Sequence, residues 1–181
     1  MDLKGKNIIL GVCGGIAAYK VCDIIRGLVK LGANVECILT NGGSKFITPL
    51  TLQTLSKNKV HQGMFEEPAA WEIEHITLAK KADIIAVVPA TADIMSRLAS
   101  GRADDLLSAT LLASKAKILI CPAMNADMFG HKATQINISS LKSYGYKFVM
   151  PESGELACGD TGCGRLAAVE NIISAIVKEL S

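Results

Sequence analysis

The stretch Asn7-Ile-Ile-Leu-Gly-Val-Cys-Gly-Gly-Ile-Ala-Ala-Tyr-Lys-Val-Cys-Asp-Ile-Ile-Arg-Gly-Leu-Val-Lys-Leu-Gly32 decides the fold. Its first six residues form an apolar run of strand length without polar alternation, as expected of a parallel strand buried on both faces. Glycines follow. From Ile16 to Leu31 the spacing turns helical, with Ala17, Val21, Ile24, Ile25 and Leu28 on one face and Gly32 as the stop signal. A buried strand, a glycine turn and a helix are the opening of an α/β unit.

The same alternation continues outward along the chain. Further strand-like runs are Asn34–Thr40, Asp83–Pro89, Lys117–Pro122 and Tyr146–Met150, with a weaker one at Lys59–Gln62. Helical patterns cover about Pro49–Ser56, Ile94–Ala99, Asp104–Ser114, Ala126–Tyr144 and Ala168–Leu180. Strand and helix in alternation predict a doubly wound α/β parallel sheet of about six strands with helices on both faces. No repeat, low-complexity tract or long linker divides the chain, so residues 1–181 are expected to form a single domain.

Composition narrows the function classes. The 181 residues carry 19 basic and 17 acidic side chains, a formal charge of +2, and 50% are hydrophobic. Such a balance offers no electrostatic footprint for nucleic acid. No apolar run nears the roughly 20 residues of a membrane helix. The apolar residues Ile8 to Val12 are broken by glycines and do not make a signal peptide. A soluble protein of the cytoplasm is expected, with no nucleic-acid or membrane partner.

Six cysteines stand at 13, 22, 37, 121, 158 and 163. The chain is too long and too rich in core residues to need a disulfide scaffold. No CxxC pair exists to nucleate a zinc site, so no metal is expected. Cys22, Cys37 and Cys121 lie in apolar elements and read as small hydrophobes. Cys13, Cys158 and Cys163 lie among glycines in loops and are the candidates for chemistry.

Ligands of doubly wound sheets bind beyond the carboxyl ends of the strands. The segments there are Gly11–Ile16, Thr40–Ser44, Pro89–Asp93, Pro122–Asn125 and Pro151–Arg165. Gly11-Val-Cys-Gly-Gly-Ile16 lacks the G-x-G-x-x-G spacing of a dinucleotide site and the Gly-Lys-Ser/Thr of a P-loop. A mononucleotide phosphate or a plain tight turn both suit it. Thr40 and the Asn41-Gly-Gly-Ser44 turn read on their own as an ordinary polar turn, and their hydroxyls and amides can also hold a phosphate or a ring edge. Thr91 or Asp93 can cap the next helix, and Thr91 can also meet a ligand. Asn125, in Pro122-Ala-Met-Asn125, is either an N-cap or a carboxamide aimed at a carboxylate. His75, beside two glutamates, reads on its own as a surface histidine, and His61 and His131 have still less context. Gly154-Glu-Leu-Ala-Cys-Gly-Asp-Thr-Gly-Cys-Gly-Arg165 has the composition of a mobile loop able to close over a ligand.

Taken together, these segments resemble the homo-oligomeric flavin-containing cysteine decarboxylases, in order and over nearly the whole chain. The residues that carry the resemblance are Gly14-Gly-Ile16, His75, Pro89-Ala-Thr-Ala-Asp93, Pro122-Ala-Met-Asn125 and Ala157-Cys-Gly-Asp160. The resemblance implies a Rossmann-like flavoprotein fold and a non-covalent FMN contacted by Gly14, Gly15, Ile16, Thr40, Pro89 and Thr91. It implies His75, Asn125 and Cys158 as catalytic residues: an acid–base histidine, a carboxylate-binding amide and a late proton donor. It implies a clamp at about 153–165, with Asn125, Ala157, Gly159 and Asp160 on the substrate. It also implies a homotrimer or an assembly of trimers with the flavin near a subunit boundary.

Asp93, where peptide-decarboxylating relatives tend to have Asn, points to the coenzyme A branch, whose substrate is 4'-phosphopantothenoylcysteine. Peptidyl-cysteine decarboxylation, flavin prenyl transfer and a non-catalytic FMN-binding regulator are the competing expectations. Many bacterial relatives carry a second, synthetase domain; the expectation here is that this chain decarboxylates and a separate protein supplies the substrate. Cys163 matches no family role.

Overall fold

A computed structural model describes residues 2–64, 73–155, 157, 159 and 161–181. Six parallel strands form one sheet: β1 (Asn7–Val12), β2 (Asn34–Leu39), β3 (Val60–His61), β4 (Ile84–Ala90), β5 (Lys117–Pro122) and β6 (Lys147–Phe148). Their spatial order is β3-β2-β1-β4-β5-β6. That order reverses between β1 and β4, and the crevice beyond their carboxyl ends is the expected binding position. The doubly wound expectation holds, including the weak strand at 59–62, of which two residues pair with Cys37 and Ile38 of β2.

Side-chain alternation along the strands separates two cores. Ile8, Leu10, Val12, Ile84, Ala86 and Val88 face one way, onto α1 (Val21–Lys30), α2 (Pro49–Ser56) and α8 (Val169–Leu180). Ile9, Ile85, Val87, Ile118 and Ile120 face the other way. They meet α3 (Glu74–Lys81), α4 (Ala92–Ala99), α5 (Leu106–Ala113) and α7 (Lys132–Ser143). Every strand position of β4 is buried, which is why the run shows no polar alternation.

Three local readings need correction. The helix expected over 16–31 begins as a 3-10 turn, Ile16–Lys20, before α1. The helix expected over 126–144 is two helices, α6 (Ala126–Gly130) and α7. His131 separates them, its Nδ1 accepting from the Ala133 backbone N–H at 3.2 Å as the cap of α7. The loop expected at 153–165 is largely a hairpin, β7 (Glu152–Glu155) against β8 (Thr161–Arg165). Glu152 ties that hairpin to the start of α8 by accepting from the Ala168 N–H at 2.9 Å and from Asn171 Nδ2 at 3.4 Å, and it closes the hairpin by accepting from Arg165 at 3.3 Å.

Helix α5 is buried over most of its length, and its first-turn backbone N–H groups need partners outside the helix ladder. Asp105 supplies the missing partner: its Oδ1 accepts from the Ser108 N–H at 2.7 Å, and the Ser108 hydroxyl accepts in return from the Asp105 N–H at 3.3 Å. Asp105→Ala should therefore lower stability by about 1 kcal/mol in urea unfolding, with Asp105→Asn restoring most of it. An unchanged midpoint for the alanine variant would show that the cap is dispensable.

Candidate active site

Two clefts adjoin at the carboxyl edge of the sheet and share Gly14 and Thr91. The first, about 670 Å³, has Gly14, Gly15, Ile16, Thr91, Asn125 and Ala157 in its wall, with Lys20, Met128 and Arg165 among its other residues. The second, about 530 Å³, is bounded by Gly14, Thr40, Thr91, Asp93 and Gln62–Met64.

The shared wall is built from backbone in close contact. A Cβ at Gly14 would lie 2.8 Å from the Gly42 carbonyl carbon, and one at Gly43 would lie 2.5 Å from the Val12 carbonyl oxygen. Thr40 locks the same turn: its Oγ1 donates to the Val12 carbonyl at 3.1 Å and accepts from the Gly43 N–H at 3.0 Å. Thr91 caps α4 by accepting from the Ile94 N–H at 3.3 Å. Pro89 is buried within β4 and lines neither cleft, standing 4.0 Å behind the position of a Gly15 Cβ. Among the described residues no other atom lies within 4 Å of that position, so a side chain there would enter the first cleft. This cradle, continuous across the two clefts, fits a flat mononucleotide such as a flavin.

Asn125 occupies the N-cap of α6. Its Oδ1 accepts from the Asp127 N–H at 2.9 Å and the Met128 N–H at 3.4 Å. Asn125 is thus the cap of α6 and also a residue of the first cleft's wall. The hairpin closes on this loop: the Met124 N–H donates to the Gly164 carbonyl at 3.0 Å. A Cβ on Gly164 would lie 2.2 Å from the Met124 carbonyl oxygen, and one on Gly162 would lie 2.6 Å from the Ala126 Cβ. Ala157 reaches the first cleft, whereas Gly159, in the left-handed region at φ 90°, lines neither. Cys158 and Asp160, expected as proton donor and substrate contact, lie outside the described residues.

His75 sits half-buried in the first turn of α3 and lines neither cleft. Among the three loop cysteines, Cys13 loses its candidacy. It is 3% exposed, and burial pushes its thiol up to about 12, the Thr91 backbone opposing only in part. A thiol so raised stays protonated and inert. Cys163 is in β8, its Sγ 3.6 Å from the Pro151 carbonyl oxygen. Cys22, Cys37 and Cys121 pack in or against the cores, as their apolar surroundings suggest.

Sequence reasoning missed the charged boundary of the second cleft. Arg97 is joined to Asp93 at 2.8 Å, Asp104 at 2.5 Å and Asp105 at 3.5 Å. The Asp93–Arg97 spacing of four on a helix was the available signal. Tyr19, Lys20 and Arg165 at the first cleft were missed as well, because the first two follow the glycine turn inside a helical pattern and the third ends a hairpin.

Fold and clefts together define a doubly wound α/β protein with two clefts at the carboxyl edge of its sheet, the position where such folds take ligands. The chain belongs to the flavoprotein family, whose model matches residues 1–181. It is 46% identical over 179 residues to the coenzyme A biosynthesis bifunctional protein CoaBC of Bacillus subtilis, covering 99% of this chain and 44% of that protein. The chain thus spans less than half the length of such bifunctional relatives. It is 44% identical over 177 residues to the probable phosphopantothenoylcysteine decarboxylase of Streptococcus mutans, covering 97% of this chain and 99% of that one. Its fold matches the crystal structure of the FMN-dependent cysteine decarboxylase SpaF, with a TM-score of 0.85, 26% identity and 99% of each chain covered. It also matches a cysteine-to-serine mutant of PPC decarboxylase complexed with pantothenoylaminoethenethiol, with a TM-score of 0.85, 24% identity, and 96% and 97% of the two chains covered.

The hairpin contact yields a test. Gly164→Ala should push β8 away from Met124 and Asn125 while sparing the Gly14–Gly42 wall. Turnover should fall roughly 10- to 100-fold, and flavin content per chain should stay at the wild-type level. Loss of flavin in parallel with activity would place the hairpin in cofactor binding instead.

Proposed function

We propose that this chain is an FMN-dependent decarboxylase that converts 4'-phosphopantothenoylcysteine to 4'-phosphopantetheine in coenzyme A biosynthesis. The observation that carries the reading is the placement of Asn125. The residue sits in a cleft that adjoins the glycine-walled cradle at Gly14 and Thr91, with the hairpin packed onto its loop. A cofactor along the cradle and a carboxylate-bearing substrate beside it would then share one wall.

Gly14, Gly15, Ile16, Thr40 and Thr91 hold the FMN, with Pro89 backing Gly15. Direct loss of carbon dioxide from a cysteine unit leaves a poorly stabilised carbanion, and a bound flavin supplies the reversible two-electron chemistry that avoids it. The chain's own residues position and protonate. The Asn125 oxygen is engaged in the cap, so its part toward the substrate falls to the amide N–H donors. These orient the carboxylate without pairing it with a full charge, which would stabilise the starting state and oppose decarboxylation. His75 is the acid–base group, imidazole being the side chain best able to exchange a proton near neutral pH. Cys158 donates the closing proton, and Ala157, Gly159 and Asp160 belong to the clamp over the substrate.

The working form is a homotrimer or an assembly of trimers in the cytoplasm, with the flavin near a subunit boundary. Exposed Ile16, Tyr19 and Met128 around the first cleft support a covered site. His75, outside both clefts, then serves a cleft of a neighbouring copy.

The purified protein should be yellow and should release carbon dioxide and 4'-phosphopantetheine from 4'-phosphopantothenoylcysteine. A protein that binds no added FMN, or that prefers a peptide ending in cysteine, would overturn the assignment. Asn125→Asp separates cap from catalysis, since aspartate caps as well as asparagine but lacks N–H donors and repels a carboxylate. Turnover should fall at least ~100-fold with flavin and melting temperature retained. Wild-type kinetics in that variant would remove Asn125 from the reaction.

A further inference from the structure

The region around His61 contains a charge cluster that none of the roles above uses. His61, the last residue of β3, is 8% exposed. Its Nδ1 lies 2.6 Å from Glu74 Oε1 and its Nε2 lies 3.2 Å from Glu36 Oε2. Glu36, on β2, also pairs with Lys81 at the far end of α3, and Glu74, the first residue of α3, also pairs with Lys59 at 3.0 Å. Among the described residues, the charged groups of the cluster are Glu36 from β2, Lys59 from the approach to β3, and Glu74 and Lys81 from the two ends of α3, while α2, which also packs on β3, has no titratable side chain.

The two chain neighbours of this cluster are what give it meaning. Gln62, Gly63 and Met64, directly after His61, line the second cleft. His75 directly follows Glu74. We infer that His61 is a positioning residue: as an imidazolium bonded through both ring nitrogens, it clasps the end of β3 to the first turn of α3 and so sets both the Gln62–Met64 wall and the place of His75. The part concerning His75 rests on the decarboxylase reading, whereas the clasp itself does not. A ring held between two carboxylates must donate from both nitrogens to satisfy both, and only the charged form can do so.

The titration of the cluster agrees with this geometry. His61's own hydrogen bond is the main force holding Glu36 down to about 2, against burial and with help from Lys81. Burial opposes a charge on His61, but bonds to Glu36 and then Glu74 outweigh it and raise its pKa above the ordinary 6.5. For a raised base, the stabilisation is complete below 6.5 and is lost as pH rises through the folded-state value. For the depressed acid Glu36, it is complete above 4.5 and is lost as pH falls toward about 2. The clasp is therefore whole from about 4.5 to 6.5 and opens on the alkaline side when His61 loses its proton.

The test uses the flavin-loaded full chain with labelled histidine. NMR should show both His61 ring nitrogens protonated at pH 6.5 and a single titration above it. His61→Gln should shift the His75 ring resonances and lower kcat about 10- to 100-fold, with KM nearly unchanged and the alkaline limb attributed to His61 absent. Glu74→Gln, which keeps the side-chain shape, should move the same signals and serves if His61→Gln fails to fold. Lys59→Gln, removing only an exposed partner, should leave turnover within about twofold of wild type. A neutral His61 ring at pH 6.5, or His75 resonances unmoved in both variants, overturns the inference. If the wild type turns over no candidate substrate, the decarboxylase reading fails, while the ring protonation and the His75 shift still decide the clasp.

Discussion

Backbone-to-backbone contact between the turns after β1 and β2 is the constraint on which the site depends. The Gly14 turn meets Gly42, and Gly43 meets the Val12 carbonyl, at separations with no room for a Cβ. Because β1 lies between β2 and β4 in a parallel sheet, those two turns open onto the switch point. Their closeness makes a wall of main chain that serves both clefts. Thr40 fixes the wall by bonding each turn once, through its hydroxyl, as donor to Val12 and acceptor from Gly43. Side chains in either turn would separate the strands' ends or fill the cradle. The glycines are therefore a packing requirement first, and a binding surface because of it.

What the sequence revealed follows from how locally each feature is encoded. Strands buried on both faces write themselves as apolar runs, so β1, β4 and β5 were legible to within a residue or two. Helix α3 was harder: its first half, Glu74-His-Ile-Thr, carries little periodic apolar signal, and only Leu78 and Ala79 are buried. The hairpin was hidden by its own composition. Gly162 and Gly164 suggested mobility, yet each is small because β8 passes against Ala126 and Met124. Tight approach and freedom of motion demand the same residue, and spacing alone does not separate them. Cys13 illustrates the converse: a loop position near glycines suggested chemistry, and although the residue borders the second cleft, its burial in the second core holds the thiol protonated.

The least legible feature was the charge cluster. His61 bonds Glu36 and Glu74, which stand 25 and 13 residues away in the chain. No local pattern joins them. The parallel register that sets Ile38 opposite His61 brings β2 and β3 together, and the return of α3 supplies the second carboxylate. Burial without such partners would have driven the ring neutral, so the same histidine in another register would carry the opposite charge state.

Asn125 shows why a helix cap and a ligand contact need not compete. An uncapped amide side chain turns freely, and ordering it on a substrate costs entropy at the moment of binding. Here two backbone N–H groups of α6 already hold its oxygen, which fixes the plane of the carboxamide and the direction of its donors before any ligand arrives. Serine or aspartate would cap the helix without offering an amide donor, and lysine would offer a donor with a charge and no cap. Glutamine carries the amide on a longer stem unsuited to the cap. On the proposed reading, asparagine alone combines a short acceptor for the helix with uncharged donors for a carboxylate. Both demands would then select the residue type, and the helix would be part of how the donors are aimed.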